Sequence, residues 1–282
     1  MTEDNTTPRR NWSEDETTIA LALYVQIPFG KIHQNTPAIR ALGVAIGRSP
    51  SSVCLKLSNL ARFDSKLQHR GISGMSHGSR MDQLVWDRFI GNNTQETDLT
   101  NLFVAADNAA EHLNLKPKDY VVTPLSRTQR AELDNLKTIS VTERERLVKV
   151  RLHQNMFRDS VLSAYEGKCA ITDLCEPRLI EAAHIKAWCD CDAPQERLSP
   201  ANGIALSASL HLAYDNNLIG ISPDLKCFVS PILLRKTPEG TLAGNLLRSI
   251  NGKPLRNPKR FSPNRDYLSD RYSDFRKSSD FP

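Results

Sequence analysis

Long apolar runs are missing from this 282-residue chain. No stretch approaches the roughly 20 apolar residues that a bilayer-spanning helix needs. The opening MTEDNTTPRRNW is polar and lacks the apolar core of a signal peptide. Both absences point to a cytoplasmic protein. Cysteine is scarce, six in all, and none need be paired in a reducing compartment. No Cys-x-x-Cys occurs: Cys169 and Cys175 are C-x5-C, and Cys189 and Cys191 are C-x-C, spacings that fit a zinc knuckle poorly. Internal repeats and low-complexity tracts are absent too. Net charge is +5 with a pI near 8.9, only a mild pointer to a polyanionic partner.

What remains is a charged, globular chain long enough for one large domain or two ordinary ones. Residues 1–11 read as a short lead. Ser13 is a plausible N-cap for a helix whose first turn is acidic and whose body, TTIALALYVQI, is too uniformly apolar for a clean period. A second helix starts at Thr36-Pro37 and stops at Gly47; a third opens at Ser49-Pro50. The tight IGRSP corner between them reads as a helix-turn-helix. The opening Trp-Ser-Glu-Asp, with Trp12, Leu42, Ile46, Gly47, Arg48, Val53 and Lys56, resembles Myb/SANT and related bacterial DNA-binding modules. That resemblance would turn Lys56 and Arg62 toward nucleic acid. Trp86 reads as core. The charged stretch 126–150 suits exposed helices and a linker, which divides the chain into a helical domain at 1–104, a helical linker at 105–150 and a second domain at 151–282.

The second domain carries the chemistry. Leu179–Ile185 is strand-like and ends in His184; Asn202-Gly203 makes a turn; Ile204–Leu206 is a second strand; and a helix follows with His211 and Asp215. The order His, Asn, His over this spacing resembles the HNH endonucleases, whose site is a ββα-metal fold around one divalent cation. Cys169-Ala170-Ile171-Thr172, Ala183-His184-Ile185, Trp188, Asn202-Gly203, Leu210-His211 and Tyr214-Asp215 are similar to the restriction-type subfamily. The fold class expected is therefore α+β, a helix-turn-helix-like helical domain followed by a ββα-metal nuclease domain.

Phosphodiester hydrolysis needs a base for water and a cation to stabilise charge on phosphate and leaving oxygen. A histidine titrating near neutrality suits the base, here His184. His211 and Asp215, four apart on a helix, share one face and suit two ligands of one cation, as in the colicin-type members of the family. Mg²⁺ is the first candidate, with Mn²⁺, Ni²⁺ or Zn²⁺ as alternatives. Asn202 can bond backbone across the loop and hold His184. One departure stands out: many family members place a metal-binding Asp or His just before the base, and this chain has Ala183. Glu181, two residues back, is a possible substitute.

Arg158, Arg197, Lys259 and Arg260 are candidate contacts to the DNA backbone. The resemblance implies a DNA endonuclease of restriction or anti-phage defence. A homodimer would suit cutting both strands, although no residue pattern specifies one. The rival reading is a non-catalytic helix-turn-helix regulator on a degenerate HNH scaffold, and the site chemistry alone does not separate DNA from RNA.

Overall fold

The computed structural model describes residues 10–72, 78–91, 99–123, 140–191 and 194–278. The expected lead up to residue 9, and the part of the expected linker at 124–139, lie outside the described residues. No described helix is long and apolar enough to cross a membrane.

Helix α1 (Glu14–Gln26) is the axis of the N-terminal half. Ser13 accepts from the Glu16 amide at 3.1 Å while the Glu16 carboxylate accepts from the Ser13 amide at 3.0 Å, a capping box that satisfies two orphan donors. From Thr17 to Val25 every residue is buried. A helix buried on all sides needs no polar face, which is why its sequence shows no amphipathic period. Around it pack α3 (Pro50–Ala61), α5 (Arg80–Phe89), α6 (Leu99–His112), α7 (Pro117–Tyr120) and α8 (Val141–Ala164), while α2 (Pro37–Ala45) packs on α3 and α7, and the short α4 (Ser65–His69) follows α3. Trp86 is in this core, edge-on to Tyr24 at 5.9 Å.

Residues 141–164 form one continuous helix, so the expected boundary at 150 falls within α8. Its charged N-terminal part is an exposed helix face, as the interleaved charges suggest, and its C-terminal part is buried under the site. One apolar cluster runs from α1 and α6 through Met156, Phe157 and Val161 of α8 to the strands beyond. Lys56, expected to face nucleic acid, is buried in this half of the chain. Its ammonium is buried against Asp82 and lies over the Trp12 ring at 4.8 Å. Burial favours the neutral amine while Asp82 opposes that, and the net is a lowered pKa.

The site sits on an antiparallel pair, β1 (Ile180–His184) and β2 (Gly203–Ser207), in a register that sets Ile180 opposite Ser207 and His184 opposite Gly203. The loop between them includes the short helix α9 (Pro194–Leu198). Helix α10 (Ala208–Asp215) follows β2 directly, and α8 supports the pair from behind. Gly203 is where strand and helix come closest: a Cβ there would stand 2.4 Å from Val161 and 3.0 Å from the Phe157 ring. Beyond the site, β3 (Ile219–Ile221) pairs with β4 (Cys227–Val229), then come α11 (Pro231–Lys236), α12 (Leu242–Ile250) and α13 (Arg265–Ser278). Leu268 and Phe275 bury one face of α13.

Between α12 and α13 an irregular strap returns to the N-terminal half. Arg260, expected on DNA, is instead buried. Its guanidinium donates to the Tyr24 carbonyl at 2.8 Å, lies 3.4 Å from the Asp64 carboxylate and covers the Tyr24 ring at 4.1 Å. It ties the two halves together and has no face left for phosphate.

Candidate active site

β1 delivers His184 to the end of the strand pair. The ring stacks on Phe157 with centroids 4.5 Å apart and meets the edge of Trp188 at 5.7 Å. Its Nε2 lies 2.9 Å from the Arg197 carbonyl. A carbonyl can only accept, so Nε2 carries the hydrogen and Nδ1 the lone pair. Burial between two aromatics favours the neutral ring and lowers its pKa below the ordinary 6.5; the bond to the Arg197 carbonyl only partly offsets this. The result is an imidazole that is neutral at neutral pH, with one nitrogen committed and the other able to take a proton.

Asn202 holds the loop that makes this possible. It is fully buried. Its Oδ1 accepts from the Lys186 amide at 2.7 Å, and its Nδ2 donates to the carbonyls of Lys186 at 3.1 Å and Glu196 at 3.0 Å. The Ile185 amide in turn donates to the Asn202 carbonyl at 3.0 Å. One side chain thus fastens the exit of β1 to α9, and Arg197, the acceptor for His184, is the residue after Glu196. Arg197 lies over the Trp188 ring at 5.5 Å and donates to the Cys191 carbonyl at 3.3 Å.

Across the site, α10 brings His211 between two carboxylates. Its Nδ1 is 2.6 Å from Glu181 and its Nε2 is 3.3 Å from Asp215. Glu181 half-exposed and Asp215 half-exposed leave this cluster open to solvent. Ionised carboxylates only accept, so a neutral ring that donates Nδ1–H to Glu181 turns the Nε2 lone pair toward Asp215. Two acceptors 3.3 Å apart repel unless a proton or a cation lies between them. Adjacent ligands of one divalent ion, each about 2.1 Å from it, are themselves about 3.0–3.4 Å apart. His211 and Asp215 therefore fit as a two-donor holder. Among the described residues no group of three or more His, Cys, Asp or Glu is placed to hold a metal ion, so any further ligands would come from water and phosphate. Glu181 occupies the outer position that orients a ligating histidine through its other nitrogen. Ala183 is fully buried and offers nothing. β1, which carries His184, also carries Glu181, and the Glu181–His211 contact seats α10 against that strand.

The structure thus brings together His184, Asn202, His211, Asp215 and Arg197. It leaves the other candidates apart. Arg158 donates to the carbonyls of Pro177 at 2.7 Å and Ile180 at 2.9 Å, fixing the start of β1. Arg62 lies over the Phe63 ring at 4.9 Å in the N-terminal half. Lys259 is half-buried in a cleft with Lys253, Arg256 and Asp173, none of them among the site's contacts. Phe157 was legible only as a core position of an amphipathic helix. Its stacking on His184 joins residues too far apart in sequence for any local pattern to signal.

With this geometry in view, a family model described as HNH endonuclease matches residues 169–222. The matched segment begins just before β1 and ends after β3, so it holds every residue of the cluster except Phe157. The match supports the HNH endonuclease family, and with it a nuclease, for this part of the chain. No curated protein matches the chain.

Proposed function

We propose that this protein is a metal-dependent DNA endonuclease of the restriction type, acting in defence against foreign DNA. The observation that carries the catalytic part is His184: a neutral imidazole with Nε2–H committed to the Arg197 carbonyl and Nδ1 available, beside the His211–Asp215 pair. The defence role rests on the resemblance of the motifs to restriction-type enzymes.

In this reading His184 Nδ1 takes the proton of the attacking water, and its low basicity keeps it ready to do so at neutral pH. Asn202 and Phe157 hold the ring in one orientation. His211 Nε2 and the Asp215 carboxylate would hold the divalent ion, Mg²⁺ or a transition metal, and Glu181, by accepting from His211 Nδ1–H, would leave Nε2 to do so. When bound, the ion stabilises negative charge on the phosphate and the leaving oxygen. Arg197, whose guanidinium lies over Trp188 and whose carbonyl fixes the base, is the favoured contact for a phosphate oxygen.

Supercoiled plasmid incubated with Mg²⁺ or Mn²⁺ tests this directly. Nicking by the intact chain, reduced about 10²- to 10⁴-fold by His184→Ala, supports the enzyme. Tight DNA binding with no cleavage in either metal supports the regulator instead, and cleavage confined to RNA overturns the choice of substrate.

A further inference from the structure

Asp215 is the last residue of α10, a helix only eight residues long. Helices this short are marginal alone, and their final carbonyls have no partner within the helix. A ligand at such a position has a mobile backbone unless something outside the helix holds it. Arg271 does so. Its guanidinium donates to the Tyr214 carbonyl at 2.9 Å and to the Asp215 carbonyl at 3.3 Å, and lies over the Tyr214 ring at 5.1 Å. The helix that carries it is itself seated closely. α13 packs on β3, where Gly220 has no side chain and the Phe275 ring occupies the space, 2.2 Å from where a Cβ would be. Leu268 on the same helix is fully buried.

We infer that Arg271 is a positioning residue for the metal pair: by capping the end of α10 it sets the Asp215 backbone, and through it the His211–Asp215 spacing. This rests on the proposed role of His211 and Asp215. Both bonds come from one guanidinium nitrogen, Nη2, while the planar group lies over the Tyr214 ring, a combination that a lysine ammonium does not reproduce in full.

The sign of the effect separates positioning from charge. A cation near a metal site repels the metal, so if charge alone mattered, removing it would tighten binding. If the cap sets geometry, removing it weakens binding. Mn²⁺ titrated into the full chain and followed by electron paramagnetic resonance gives the affinity, with thermal melts alongside. Arg271→Ala is expected to weaken Mn²⁺ binding about 10- to 100-fold, with Arg271→Lys intermediate and its melt close to that of the intact protein. Unchanged or tighter binding in both variants overturns the inference, whatever their melting temperatures. His211→Ala is the separate control. Mn²⁺ binding that survives it overturns the metal reading itself, whereas binding lost in His211→Ala and unaltered in the Arg271 variants overturns only the role of Arg271.

Discussion

Replacing Asn202 by alanine should cost the fold more than any surface change and should disable the base indirectly. The side chain makes three bonds to backbone, accepting from the Lys186 amide and donating to the Lys186 and Glu196 carbonyls. Each such bond contributes about 1 kcal/mol net. Removal also leaves the Lys186 amide without its acceptor, a further penalty of about 1–2 kcal/mol. The total is about 4 kcal/mol, a fall in melting temperature of roughly 10 °C for a chain of this size. Asn202→Asp keeps the acceptor, loses the two donations and buries a charge, so it should be at least as damaging. Urea unfolding followed by circular dichroism measures both, with the slope checked for a change in the unfolded state. The loop released by either variant carries the Arg197 carbonyl, so His184 loses the partner that fixes its tautomer. An Asn202→Ala protein within about 1 kcal/mol of the intact one, yet inactive, would refute this reasoning and move Asn202 to direct contact with substrate.

Burial holds the His184 pKa below 6.5, so the acid limb of kcat/KM should lie below that pH, and Phe157→Ala should move it up toward 6.5 by exposing the ring. The unfolded ring takes its proton first as pH falls, so the stability that His184 contributes is present above pH 6.5 and is lost as pH drops toward the folded value. Asp159 has the opposite sign. Burial raises its carboxyl from 3.8 to about 6, so its stabilising effect is complete below 3.8 and lost as pH rises through about 6. Asp159→Asn should therefore stabilise the protein at pH 8, by about 3 kcal/mol, with little change at pH 3.5 in paired urea titrations. Arg260→Ala should destabilise by about 3 kcal/mol, because it strands Asp64 in the interior. It should leave the salt dependence of DNA affinity unaltered in anisotropy titrations, and a shallower slope would return Arg260 to the DNA surface.

How much of this was legible in the sequence follows the range of each interaction. The order His184, Asn202, His211, Asp215 is local enough to be read, and so is the strand-turn-strand-helix that carries it. The apolar run of α1 was legible as a helix, and its missing period had a meaning that became plain once every face was found buried. Partners far off in sequence were not legible. Lys56 reads as a recognition-helix cation until Asp82, from another helix, is seen to neutralise it. Arg260 sits in the most basic stretch of the C-terminal region, and only folding brings Asp64 to it. Glu181 was visible as a carboxylate near the site, but its contact with His211 joins β1 to α10 and has no period to reveal it. The charges of 141–150 read as an exposed helix face, and what they could not show is that the same helix runs on unbroken to Ala164 beneath the site.

The central claim is that one divalent ion is held by His211 and Asp215 beside a neutral His184. Crystals soaked in Mn²⁺ test it by anomalous diffraction. A single peak about 2.2 Å from His211 Nε2 and an Asp215 oxygen, with His184 Nδ1 facing it across a water, is the predicted result. A peak elsewhere, or a His211 ring still bonded to both carboxylates at saturating Mn²⁺, would contradict it.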